Sequence, residues 1–146
     1  MSGRIVLQQK PLILLVEEDK SARSLMGLLL SSQGYEVLEA PTLGQVEQVW
    51  RENQERAAVV VVGLITDTSF RLRLLQMFVK HRPDIKVVIA SGYDRSLVTN
   101  VIDLEGCWFV PKPIQRETLL GMVEKIMMYK IRPELIKKRK DQTEPS

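Results

Sequence analysis

Five apolar runs of strand length recur along the chain, at 12–16, 35–39, 58–65, 86–90 and 107–110. Most are apolar at consecutive positions, as in Leu12-Ile13-Leu14-Leu15-Val16 and Val59-Val60-Val61-Val62. That pattern suits parallel strands covered on both faces. Tyr35-Glu36-Val37-Leu38-Glu39 alternates instead and reads as an edge strand. Between the runs the period turns helical. Ala22, Leu25, Met26 and Leu29 fall on one helical face, with Gly34 as the stop. Thr42 and Gln45 read as a capping box ahead of Val46, Val49 and Trp50. Leu74, Leu75 and Phe78 mark a third helix ending before Pro83. Asp94 is placed to cap a fourth, carrying Leu97, Val98, Val101 and Ile102, with Gly106 past its end. Pro113 opens a fifth, with Leu119, Leu120, Val123, Ile126 and Met127. Strands alternating with helices predict an α/β fold, an open parallel sheet with helices on both faces.

At 146 residues the chain is the size of one domain, with 45% hydrophobic and 27% charged residues and a net charge of only +3. The organisation expected is an N-terminal extension over 1–10, one domain over 11–131, and a basic, polar tail over 132–146. The tail carries Lys137-Lys138-Arg139-Lys140 and reads as a solvated segment or linker stub, with nucleic-acid or membrane contact the alternative. The run from Leu12 stops at Glu17, too short for a signal-peptide core or a membrane span, so a cytoplasmic location is expected. Cys107 is the single cysteine, which excludes an internal disulfide and suits a small buried hydrophobe.

In a doubly wound sheet the ligand site lies at the carboxyl ends of the strands. The first strand ends in Glu17-Glu18-Asp19, an acidic turn that would repel a phosphate, and no Gly-rich phosphate loop occurs in the chain. The acidic pair suits either a magnesium ion or ion pairing with Lys112. The third strand ends in Gly63, the fourth in Ser91, and the fifth runs Trp108-Phe109-Val110 into Lys112-Pro113. Trp108 and Phe109 should point to opposite sides. His81, the only histidine, falls in the last turn of a helix, where the dipole favours it.

Those four strand ends, in that order and spacing, resemble the receiver domain of two-component response regulators. The resemblance implies a single flavodoxin-like domain of strand order 2-1-3-4-5. It aligns Glu17 and Glu18 with the acidic pair, Ser91 with the hydroxyl that bonds the phosphoryl group, and Phe109 with the aromatic switch. Lys112-Pro113 aligns with a Lys-Pro pair whose bond is commonly cis. It also puts Gly63 where the phosphoacceptor aspartate would stand. Glycine has no group that accepts a phosphoryl transfer, and the nearest carboxylate along the chain is Asp67. The expectation is a degenerate receiver, not an enzyme, acting in a phosphorelay by protein contact without phosphorylation at residue 63. Its cofactor would be none, or magnesium held weakly by Glu17 and Glu18. Its partners would be a histidine kinase or a protein with an output domain, met through the helix over 94–105, the fifth strand and the helix after Pro113. A homodimer is a further possibility; neither membrane nor nucleic acid is expected. The alternatives are a phosphoreceiver that autocatalyses transfer onto another acceptor such as Asp67, and a flavodoxin-like ligand binder. Replacing Gly63 by Asp is expected to put a third carboxylate beside Lys112 and rebuild part of a receiver site.

Overall fold

The computed structural model describes residues 10–63, 68–90 and 106–143. In chain order the elements are β1 (Leu12–Val16), α1 (Lys20–Ser32), β2 (Glu36–Ala40), α2 (Leu43–Asn53), β3 (Ala57–Val62) and α3 (Thr68–His81). Then follow β4 (Lys86–Ala90), β5 (Cys107–Val110), α4 (Arg116–Met127) and α5 (Pro133–Thr143). All four strand pairings are parallel, in the order β2-β1-β3-β4-β5. The sheet is therefore the doubly wound, flavodoxin-like one that the sequence predicts.

Strand parity sorts the core into two layers. Leu14, Val16, Val60, Val62, Val87 and Ile89 face Trp50 of α2 and Leu74, Leu75 and Phe78 of α3. Ile13, Leu15, Val59, Val61 and Val88 face Met26 and Leu30 of α1 and Leu119, Val123 and Ile126 of α4. Because both faces are covered, the central strands need apolar residues at every position, which explains their unbroken runs. β2, with helices on only part of its surface and one free edge, is half-buried over Glu36–Leu38, as its alternation predicts.

Local signals decide the element ends. Asp19 caps α1, its Oδ2 accepting from the Ala22 N–H at 2.8 Å. Gly34 ends that helix at φ +90°, a conformation open to glycine at no steric cost. The capping box predicted for α2 differs from expectation. Thr42 Oγ1 bonds Gln45 Oε1 at 2.9 Å, and its side chain caps no backbone N–H. The helix predicted over 94–105 lies outside the described residues.

The segment expected to be a solvated tail is a docked helix over most of its length. Leu135 and Arg139, four apart on α5, are buried, as is Ile131 just before the helix, and α5 packs against α3. Arg139 is fully buried. Its Nη1 donates to the carbonyls of Pro83 at 2.8 Å and Ile85 at 2.7 Å, and its Nη2 to that of Gly106 at 3.1 Å. A Cβ on Gly106 would stand 2.8 Å from Arg139 Cζ and 3.0 Å from Leu135 Cδ2. Glycine is what leaves room for the guanidinium. These groups lie at the amino ends of β4 and β5. At the same end Arg82 donates to the carbonyls of Gln54, Glu55 and Ala57 at 2.6, 3.1 and 3.1 Å and pairs with Asp84 at 2.8 Å. Two arginines thus tie the loops at the end of the sheet opposite the site.

Candidate functional site at the carboxyl ends of the strands

β1 is buried throughout, and the burial continues one residue beyond it: Glu17 has no exposed surface. A buried carboxylate needs a partner, since its desolvation is otherwise uncompensated. Lys112 supplies one, Nζ to Glu17 Oε1 at 2.6 Å. The second oxygen, Oε2, accepts from the Asp19 N–H at 3.2 Å. Arg23 closes the turn from α1, its Nη1 donating to the carbonyls of Glu17 at 3.0 Å and Glu18 at 3.2 Å.

The ion pair spans the sheet. β5 is three strand spacings from β1, roughly 14 Å, so the contact requires two long side chains reaching toward each other over β3 and β4. Lys112 starts two residues past β5, and its bond to Pro113 is cis. Glu17, longer than aspartate by a methylene, lies over the end of β3. Gly63 is there, its N–H bonded to the Val16 carbonyl at 2.6 Å. A Cβ built on Gly63 would meet Glu17 Cδ at 2.5 Å and Oε2 at 3.0 Å, with Oε1 nearer still. The Glu17 carboxylate occupies the volume that a side chain at residue 63 would need. The expected third carboxylate of Gly63→Asp would therefore require the Glu17 carboxylate to move. With the backbone and Glu17 as they stand, the two cannot coexist.

The other expected site residues are distributed unevenly. Glu18, although adjacent in sequence, is exposed. Phe109 is half-buried against the layer of α2 and α3, while Trp108 packs on the opposite layer and meets Tyr129 edge-to-face at 5.2 Å. The opposite-side expectation for this pair holds. Cys107 is buried, as expected. His81, in the last turn of α3, bonds the Met77 carbonyl at 2.9 Å through Nδ1. Ser91 and Asp67 lie outside the described residues. The structure thus brings Glu17, Lys112 and Gly63 together and leaves Glu18 at the rim. Sequence reasoning missed Asp19 as a cap and Arg23 as the clamp on the turn. The Asp-x-x spacing at the start of α1 is the signal that marks the former.

A hard divalent cation needs free carboxylate oxygens at near-octahedral positions. Here each Glu17 oxygen already accepts a hydrogen bond, Gly63 offers none, and Glu18 is exposed. No cluster of three or more His, Cys, Asp or Glu among the described residues could hold a metal ion. Among the described residues, the donors at the strand ends do not by themselves complete a magnesium site. Nor is any helix among the described residues long and apolar enough to cross a membrane.

Known proteins place the chain. The family model described as the response regulator receiver domain matches residues 13–124. A sensor kinase, CckA of Brucella abortus strain 2308, is 27% identical over 116 residues, which is 79% of this chain and 12% of that protein. The transcriptional regulatory protein GlrR of Escherichia coli K12 is 26% identical over 113 residues, 77% of this chain and 25% of that protein. The chain therefore corresponds to a quarter or less of the relatives' lengths. Among solved structures, the receiver domain of the hybrid histidine kinase CckA aligns at 28% identity and TM-score 0.66, covering 80% of this chain and 99% of that one. A response regulator from Thermotoga maritima aligns at TM-score 0.69 and 22% identity, covering 83% and 100%, a likeness of fold. With the parallel sheet, the acidic turn after β1 and the cis Lys-Pro after β5 already described, this chain belongs to the response regulator receiver domain family of two-component signalling.

Proposed function

We propose that this receiver signals by protein contact and is not phosphorylated at residue 63. The observation that supports the reading is the end of β3, where Gly63 offers no acceptor and a neighbouring carboxylate, Glu17, already stands beside Lys112. Receiver domains work with histidine kinases and output domains, and the relatives in which matching segments occur are a sensor kinase and a transcriptional regulator. The partner class is accordingly a kinase or an output-domain protein in the cytoplasm. The contact face includes β5, with Phe109, and the adjoining α4. Magnesium is not needed for this role, since the Glu17–Lys112 pair neutralises itself.

The test is intact mass after incubation with acetyl phosphate and magnesium. The mass of the protein should not change. An adduct mapped to Asp67, or to any other residue, would replace this reading with that of a phosphoreceiver using an unusual acceptor. A ligand that co-purifies and seats at the strand ends would favour the ligand-binding alternative.

A further inference from the structure

The geometry points to a compensated pair: Glu17 and Gly63 depend on each other, and Glu17 excludes a side chain at residue 63 and a divalent cation together. This deepens the reading above and rests on it only for the meaning of the site, not for the geometry. Three observations carry it. The Glu17 carboxylate is fully buried, so it is part of the packed interior and not a mobile surface group. Its Cδ lies 2.5 Å from a Cβ on residue 63, closer than real Cβ atoms approach anything. Finally, each of its oxygens already accepts a hydrogen bond, one from Lys112 at 2.6 Å and one from the Asp19 N–H at 3.2 Å. A side chain at 63 must therefore move the Glu17 carboxylate from the position in which it now meets Lys112. An aspartate there adds like charge to the clash. A glutamate at 17 and a glycine at 63 are in this sense one feature of the chain, a carboxylate for Lys112 supplied from β1 instead of β3.

The experiment is a double-mutant cycle on the full chain: wild type, Gly63→Asp, Glu17→Ala, and the two combined. Thermal midpoints are read with and without millimolar magnesium chloride. Gly63→Asp alone should lower the midpoint by about 5 °C or more and show no response to magnesium. Glu17→Ala added to it should restore a large part of that loss, because the second change removes what the first collides with. The combined variant should also gain a midpoint that rises with magnesium, as binding to the folded state requires. Gly63→Asp as stable as wild type, strict additivity of the two changes, or a magnesium response while Glu17 is present would each overturn the proposal. So would a combined variant blind to magnesium, as far as Glu17 is held to exclude the cation. If Gly63→Asp does not fold, the cycle is run with Gly63→Ala, where the same Cβ meets Glu17 without the added charge and additivity again overturns the pairing. A phosphate adduct on the wild type would defeat the signalling reading and leave this cycle unaffected.

Discussion

Glu17 and Gly63 compete for one volume: the carboxyl carbon of the first lies 2.5 Å from where the second would carry a Cβ. The two residues directly follow neighbouring strands, with Val16 paired to Val62 just before them. The relationship replaces an acidic cluster around a lysine with a single buried ion pair.

The pair should matter more than its surface counterparts. Lys112 is 23% exposed and Glu17 fully buried. Lys112→Met would leave a buried carboxylate without its cation, and a loss of about 3–5 kcal/mol is expected, against the roughly 0.2–1 kcal/mol of an exposed pair. Chemical denaturation at neutral pH measures it. An unchanged midpoint would show that water reaches Glu17.

Beryllofluoride with magnesium should leave the amide spectrum of the protein unaltered. The phosphoryl mimic needs an acceptor carboxylate and a cation, and neither is on offer at Gly63. Shifts concentrated at Phe109 and Lys112 would contradict this.

Arg139 should be essential to the fold although it lies in a run of lysines. Arg139→Ala removes donors from three backbone carbonyls, two of them in buried bonds, and each carbonyl left unsatisfied costs about 1–3 kcal/mol. A total near 3 kcal/mol is expected. Lysine should rescue little, because a point charge cannot serve carbonyls on two loops as the guanidinium fork does. Truncation after residue 132 removes Leu135 as well and should be worse. Equal stability of the truncated chain would return α5 to the status of a dispensable tail.

Gly106→Ala should mimic loss of Arg139. The new methyl would sit 2.8 Å from Arg139 Cζ, so the guanidinium must leave or the loop must move. Combined with Arg139→Ala, the second change should cost much less than it does alone, a non-additivity that equilibrium unfolding of the four proteins detects.

Acid should weaken the Arg82–Asp84 tie. The Arg82 guanidinium bonded to Asp84 holds its carboxyl below the usual carboxylate range, against an opposing push from partial burial. A carboxyl whose folded pKa is depressed stabilises the fold above its unfolded value, about 3.9. That contribution is lost as pH falls through the folded value. Asp84 is about half exposed, so the effect is small. The unfolding free energy of Asp84→Asn should fall less steeply than that of the wild type below about pH 4.

The sheet was legible in the chain because its causes are local. Runs such as Val59-Val60-Val61-Val62 and the intervening helical periods specify parallel strands covered on both faces, while their order is what the resemblance of the strand ends to receivers implies. The positions of Glu17, Gly63 and Lys112 at strand ends were legible for the same reason. What these residues do to one another was not. Whether Glu17 faces solvent, a cation or Gly63 depends on where β1 stands beside β3 and on how far Lys112 reaches from β5, distances that no local pattern encodes. α5 shows the same limit. Lys137-Lys138-Arg139-Lys140 reads as uniformly solvated, and the spacing of Ile131, Leu135 and Arg139 is too sparse to announce a core face. Only the meeting of the Pro83, Ile85 and Gly106 carbonyls, from segments 20 or more residues apart along the chain, creates a place where one buried arginine is stable and its neighbours are not. Sequence determined the scaffold through local periodicity; tertiary packing decided the charges, because burial and pairing are properties of the assembled sheet.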